Sequence, residues 1–212
     1  MDIANTFEQL YDTKELSVFA RLGNPIEVQA FLDAIPYSTT ETYRSPRSVI
    51  RDRRAHCFDG ALFAAAALRR LGYPPLLVEM LAVRDDSHIL ALYRKDGCWG
   101  AIAKSNFVGL RFREPVYRSL RELVMSYFEV YFNVAREKTL RGYTLPLNLE
   151  RFDGYRWMSD DDRLEEIAQR LDGMRRIALL REDTVFSLAL VDERSYQAGM
   201  LGVDEGGLYK PA

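Results

Sequence analysis

The sequence predicts an α+β domain in which a central helix packs on a small antiparallel sheet. Residues 57–72, CFDGALFAAAALRRLG, are rich in Ala and Leu and apolar almost all round, which indicates a buried helix that ends at Gly72. Three strand patterns follow at 75–83, 88–95 and 98–105, and Asp96-Gly97 between the last two is a strong hairpin signal. One buried helix followed by a three-stranded meander is therefore the basis of the predicted fold.

Length and composition fit one globular domain over residues 1–212. Hydrophobic residues make up 48% of the chain and charged residues 28%, values that argue against a disordered, collagen-like or membrane protein. We expect no membrane span and no signal peptide, because no long apolar run and no basic start occur. The net charge of −2 gives no basic field for nucleic acid or a membrane surface. With two cysteines and two histidines, neither a disulfide framework nor a four-ligand zinc site is expected, which favours a reduced, cytoplasmic, metal-free protein.

The segments on either side of the core are predicted to be helical. Residues 1–44 carry short apolar patterns at three- and four-residue spacing, which are typical of amphipathic helices. The core is assigned to about 45–110, and 111–212 is predicted as a helical extension. That extension would begin with a long amphipathic helix after Pro115 and continue with a helix capped by Ser159.

Cys57 and His88 are the candidate reactive pair. Cys57 stands at the start of the predicted helix, where free backbone N–H groups and the positive dipole end favour a thiolate and a developing oxyanion. His56 is adjacent in sequence and poorly placed to face the thiol, because neighbours on a helix point in different directions. His88 opens the second predicted strand, which would pack on the helix, so it is the candidate base. Ser105 and Asn106, near the end of the next strand, are candidates for orienting its ring.

These segments resemble the core of the transglutaminase-like superfamily, which has a papain-like cysteine fold. The residues that carry the resemblance are HCFDGALFAAAALRRLGYPPLLVEM and SHILALYRKDGCWGAIAKS, within about 45–110. The resemblance implies a Cys–His–acid triad that performs acyl transfer or hydrolysis at amide bonds, with Cys57 as nucleophile and His88 as general base. The family's acid, four positions after Trp99, corresponds here to Ala103, which cannot orient a histidine. Ser105 is therefore the first substitute and Asn106 the second.

The leading hypothesis is a cysteine-dependent hydrolase or transamidase that forms a thioester, needs no cofactor and acts on an amide-bearing peptide, protein or small molecule. Because the acid is missing, the alternative is a non-catalytic binding module that keeps the same fold. A third alternative, an arylamine acetyltransferase-like enzyme of the same fold family, is disfavoured by the short chain and the missing Asp. Neither the substrate nor the oligomeric state follows from the sequence.

Overall fold

The computed structural model describes residues 3–40 and 42–211, and in this part of the chain one antiparallel sheet lies between helices. The helices are α1 (Ile3–Leu10), α2 (Thr13–Ala20), α3 (Pro25–Asp33), α4 (Pro46–Asp52), α5 (Cys57–Arg70), α6 (Leu120–Met125), α7 (Leu164–Asp172), α8 (Glu182–Val185) and α9 (Glu193–Met200). The strands are β1 (Leu76–Ala82), β2 (His88–Lys95), β3 (Cys98–Ile102), β4 (Arg113–Tyr117), β5 (Leu140–Thr144), β6 (Leu147–Asn148) and β7 (Arg176–Ala178). The molecule is thus a mixed α/β structure with an antiparallel sheet and several helices.

Helix α5 is the central helix that its composition predicts. Every residue from Phe58 to Leu68 is buried. The helix starts with a capping box, in which the His56 ring accepts a hydrogen bond from the Phe58 N–H and the Asp59 carboxylate accepts one from the His56 N–H. It stops before Gly72, whose φ of 89° suits a residue without a side chain. Cys57 is therefore fixed at the first position of a well-capped, buried helix.

The sheet has the strand order β4-β3-β2-β1-β5-β7, with β6 also paired to β1. All of these pairs are antiparallel. Along β2 the side chains alternate between two apolar clusters: Ala91 and Tyr93 pack with α5 on one face, and Leu90 and Leu92 pack with α6 on the other. Because both faces of the sheet are covered, β2 is held at the centre of the molecule, and His88 at its first position is held with it.

The first three strands agree with the sequence prediction, and the sheet extends further than predicted. Strands β1, β2 and β3 lie within the predicted ranges, and Asp96 and Gly97 form the hairpin turn with positive φ values. The region after residue 110, predicted as helical, contains the helices α6 to α9 and in addition the strands β4 to β7. The prediction of a small three-stranded sheet with a helical C-terminal extension is corrected accordingly.

The long helix predicted after Pro115 is wrong. Residues before Ser119 pair with β3 as strand β4, and Ser119 then caps the short helix α6 by accepting a hydrogen bond from the Glu122 N–H. The helix stops at Ser126, because aromatic and β-branched residues with low helix propensity follow. Among these residues, the Tyr131 hydroxyl donates to the carbonyl of Asp86 at 2.7 Å, which fixes the chain in an irregular path.

Helix α7 begins at Leu164, so Ser159 is not its N-cap. The reason lies in Asp161, whose carboxylate accepts hydrogen bonds from the Ser45 N–H and the Ser48 hydroxyl and thereby holds the preceding loop against α4. Over residues 3–40 and 42–211, no helix has the length and apolar character needed to cross a membrane.

Candidate functional site

A cleft of about 960 Å³ opens where α5 meets the sheet. Cys57 and His88, the predicted reactive pair, both line it. Most of the other lining residues come from five segments: residues 37–40, the loop 85–87, residues 105–107, one face of α7, and the C-terminal residues 206–210. The volume falls in the range of clefts that hold a small molecule or a short peptide segment.

The thiol of Cys57 is protonated at neutral pH. Burial raises its pKa to about 12, and the carboxylates of Asp59 and Asp86 act in the same direction. The backbone N–H groups of Ile89 and Phe58 point to the sulfur and oppose this rise. The sequence-based expectation that the helix start favours a thiolate therefore does not hold for the resting protein, because desolvation outweighs the amide dipoles even though the residue is partly exposed.

His88 is a buried, neutral imidazole whose tautomer is set by its hydrogen bond. Its Nε2 lies 2.8 Å from the carbonyl oxygen of Leu110. Since a carbonyl only accepts, Nε2 carries the proton, and Nδ1 is left with a free lone pair. Burial lowers the pKa of His88 to about 4. The ring is therefore fixed in a form that can accept a proton through Nδ1.

Cys57 and His88 approach each other through neighbouring atoms. The Ile89 N–H that points to the Cys57 sulfur belongs to the residue directly after His88. Within the described residues, no hydrogen bond joins the sulfur to the His88 ring. The two groups share one cleft as a neutral thiol and a neutral imidazole, and their action as a pair stays a prediction.

Ser105 and Asn106 also line the cleft, but their hydrogen bonds go elsewhere. The Ser105 hydroxyl accepts from the Phe107 N–H at 3.0 Å. The Asn106 side-chain amide donates to the Asp204 carbonyl and accepts from the Asp204 N–H, both at 2.9 Å. The ring partner of His88 is thus the backbone carbonyl of Leu110, a group that residue identity does not reveal. The predicted roles of Ser105 and Asn106 stay predictions.

His56 has a structural role at the start of α5. Its Nδ1 accepts the Phe58 N–H at 3.0 Å, and burial together with the Arg44 charge lowers its pKa to about 4. The Asp59 carboxylate at the same helix end accepts N–H groups from Arg44 and His56, and burial raises its pKa to about 6. These contacts hold the first turn of α5, and with it Cys57, in place.

Tyr37 is a cleft residue that sequence reasoning missed. The parallel bridge between Tyr37 and Ala55 brings it beside the start of α5. Burial raises the pKa of its hydroxyl well above the usual range, negative charge on Cys57 acts in the same direction, and the Cys57 backbone N–H opposes them. Tyr37 and Cys57 therefore line the same part of the cleft. A lone tyrosine before a polar run carries no local signal for such a position.

The cleft wall is acidic. It carries five carboxylates and a single amine, that of Lys210; the carboxylates belong to Glu79, Asp85, Asp86, Glu165 and Asp172. Burial raises the pKa of Asp85 to about 6, and that of Glu79 is raised by the same cause. Among residues 3–40 and 42–211, no three His, Cys, Asp or Glu side chains are grouped so that they could hold a metal ion.

Comparison with known proteins gives distant structural matches only. No protein-family model matches the chain, and no curated protein matches it. A solved structure of Legionella pneumophila LapG aligns over 49% of this chain and 73% of its own, with 16% identity and a TM-score of 0.36. A structure of EGTA-treated LapG from the same organism aligns over 75% of this chain and 96% of its own, with 12% identity and a TM-score of 0.40. Similarity at this level supports no inference about activity.

Proposed function

We propose that the protein is a cysteine-dependent acyl-transfer enzyme that attacks an amide through a thioester intermediate. The observation that carries the proposal is the joint placement of Cys57 and His88 in one cleft. Cys57 is fixed at the first position of α5, and the Leu110 carbonyl fixes the His88 ring with Nδ1 unprotonated. A nucleophile beside an oriented base is the arrangement that this chemistry requires. The transglutaminase-like, papain-like character of the core belongs to the same proposal.

The first half of the reaction starts from two neutral groups. The Cys57 sulfur forms a bond to the amide carbon while its proton moves to Nδ1 of His88, and the carbonyl oxygen becomes an oxyanion. Because the thiol has a pKa of about 12, proton removal has to accompany the attack rather than precede it. The C–N bond then breaks, the His88 proton passes to the leaving amine, and a thioester at Cys57 remains.

The second half returns the enzyme to its resting state. Water or an amine attacks the thioester carbon and gives its proton to His88. The C–S bond then breaks, the acyl group leaves with the acceptor, and His88 passes the proton to the Cys57 sulfur. The proposed donors to the oxyanion in both halves are the Cys57 N–H at the start of α5 and the hydroxyl of Tyr37, which lines the same cleft. In a site of this kind, each such donor contributes about 10²–10³ in turnover.

The second candidate function is a non-catalytic binding module, and one specific observation favours it. A thiol with a pKa of about 12 is a poor nucleophile unless a base removes its proton, and no hydrogen bond between Cys57 and His88 exists among the described residues. In that case the cleft would bind a ligand with the same walls, and neither Cys57 nor His88 would contribute to chemistry.

Acylation by p-nitrophenyl acetate separates the two functions. The experiment uses the Cys98→Ser protein, so that Cys57 is its only thiol. The enzyme should release p-nitrophenol near neutral pH and carry an acetyl group on Cys57, detected by mass spectrometry. The His88→Ala variant should be acylated at least about a hundredfold more slowly. Equal acylation rates with and without His88 would leave the binding module as the better description.

A further inference from the structure

The C-terminal segment Asp204–Lys210, called here the strap, lies along the cleft. It follows α9, forms one 3₁₀ turn at Glu205–Gly207, and contributes Gly206 to Lys210 to the same cleft wall as Cys57 and His88. None of its residues is buried, and Gly207 and Leu208 are the partly covered ones. The strap therefore rests on the cleft without being part of the core.

Asn106 fastens the strap at its first residue. Its side-chain amide makes two hydrogen bonds of 2.9 Å to the backbone N–H and carbonyl of Asp204. A neighbouring β-strand would bond the N–H and carbonyl of an extended residue in the same way, and here one side-chain amide takes the place of that strand. The Asp204 carboxylate then accepts the Gly206 N–H at 3.0 Å and turns the following glycines toward the cleft.

Gly207 is packed closely against three side chains, so a side chain at this position would be crowded. A Cβ atom at this position would lie 3.2 Å from the Tyr37 ring, 3.2 Å from the Thr39 methyl group and 3.2 Å from the Asn106 amide nitrogen. Because Tyr37 lines the same cleft as Cys57, the strap packs on a residue that shares the cleft with the candidate nucleophile. A glycine is the residue that fits opposite the Tyr37 ring without displacing these three side chains.

We propose that the cleft is a binding groove for an extended polypeptide with a glycine opposite Tyr37, and that the strap is its resident occupant. The part of this inference that concerns a substrate rests on the proposed function, whereas occupancy of the groove does not. The strap has to leave before a polypeptide substrate reaches Cys57. A polypeptide segment with a matching glycine then takes its place.

Alkylation of Cys57 by iodoacetamide tests occupancy, with Cys98→Ser as the background. A chain that stops at Val203 should react about tenfold faster than the full chain, because a locally held segment no longer covers the groove. Addition of the synthetic peptide VDEGGLYKPA, which reproduces residues 203–212, should slow the reaction again. The same peptide with Gly207→Val should have no effect. Equal rates for the two chains, with no protection by the peptide, would overturn the proposal.

A substitution in the full chain repeats the test if the shortened chain does not fold. Gly207→Val should open the groove and accelerate alkylation, because its side chain meets Tyr37, Thr39 and Asn106. Gly154→Val is the matched control, since a Cβ at Gly154 meets no atom within 4 Å. Equal rates for the two glycine variants would contradict the proposal.

The same measurements in a His88→Ala background keep the two proposals apart. The rate of alkylation by iodoacetamide measures the access of a reagent to the Cys57 sulfur. The rate of acylation by p-nitrophenyl acetate measures the reaction in which His88 accepts the thiol proton. If strap removal accelerates alkylation while His88→Ala leaves acylation unchanged, the groove is occupied as proposed and the enzymatic function fails. If strap removal leaves the alkylation rate unchanged while acylation requires His88, the proposed enzymatic function is supported and the proposed occupancy of the groove by the strap is contradicted.

Discussion

The two sides of the cleft are held by different means. On the inner side, Cys57 and His88 sit at the first positions of a capped helix and of a central strand, and backbone groups fix both. On the outer side, the strap is exposed except at the half-buried Gly207 and Leu208, and the Asn106 side chain makes two hydrogen bonds to the backbone of Asp204. The groups suited to chemistry thus belong to buried elements, whereas the strap on the other side of the cleft contains no buried residue.

Because of this difference, the reactivity of Cys57 and the access of reagents to it depend on different parts of the cleft. The inner side sets the protonation states, with a thiol of pKa about 12 and an imidazole of pKa about 4, both produced by burial. The strap on the outer side is proposed to control how far Cys57 and His88 stay buried, because water enters the cleft when the strap leaves. Variants of the inner side should therefore change turnover or stability, and variants of the strap should change the rate at which any reagent arrives.

The largest effect is expected from the two histidines of the inner side. His88→Ala should lower turnover of p-nitrophenyl acetate by about 10²–10⁴, because the group that accepts the thiol proton is gone. His56→Ala should instead destabilise the protein by about 0.5–2 kcal/mol through loss of the helix cap. Turnover and urea unfolding measured on both variants check this. Equal losses of turnover would show that both substitutions act only through the fold of the helix start.

Gly60 tests the rigidity of the inner side. A Cβ atom at Gly60 would lie 2.2 Å from the Cβ of Lys104, whose amine is fixed by hydrogen bonds to the carbonyls of Leu32 and Ile35 at 2.8 and 2.5 Å. Gly60→Ala should therefore reduce the free energy of unfolding by about 1–3 kcal/mol, despite the better helix propensity of Ala. Urea denaturation measures it, with Gly154→Ala as control. Equal denaturation midpoints for the two variants would mean that the contact between Gly60 and Lys104 adjusts to an added methyl group at little cost.

Acid should weaken the inner side through His88. Its pKa is about 4 in the folded protein against an ordinary 6.5, so the unfolded chain binds the proton first as the pH falls. The stability from a neutral His88 is present above pH 6.5 and is lost between 6.5 and 4. Asp59 and Asp85, with pKa values raised to about 6, act in the opposite direction below pH 6.

Comparison with His88→Gln isolates this contribution, because both proteins share every other titrating group. Between pH 6.5 and 4, the wild-type protein should lose more of its free energy of unfolding than the variant does. Urea unfolding at several pH values in this interval measures the difference. Parallel pH profiles would show that His88 is as free to protonate in the folded protein as in the unfolded chain.

The sequence predicted those parts of the molecule that local patterns determine. The Ala/Leu-rich run, its glycine stop and the Asp96-Gly97 turn identify α5 and the strands β1 to β3, since each signal lies within its own element. Cys57 at a helix start and His88 at a strand start follow from those elements. The placement of both in one cleft agrees with the expectation that the strands pack on the helix.

The remainder depends on contacts between distant segments. The Leu110 carbonyl that holds His88 is a backbone atom, which no residue type announces. Tyr37 reaches the start of α5 through a bridge to Ala55, and the strap bonds Asn106 across a sequence separation of 98 residues. The predicted long helix failed for a similar reason, because the residues before Ser119 gain more by pairing with β3 than by extending a helix.

The smallest effect is expected from Asp86, a carboxylate of the cleft wall whose charge acts on the Cys57 thiol. Its carboxylate raises the pKa of Cys57, so Asp86→Asn should lower that pKa and speed alkylation at a fixed pH by about threefold. The Tyr131 hydroxyl bonds the Asp86 backbone carbonyl and is therefore unaffected by the change. The rate of iodoacetamide labelling against pH measures the effect, with the exposed Asp183→Asn as control. An unchanged rate would assign the raised pKa to burial and to Asp59, without a contribution from Asp86.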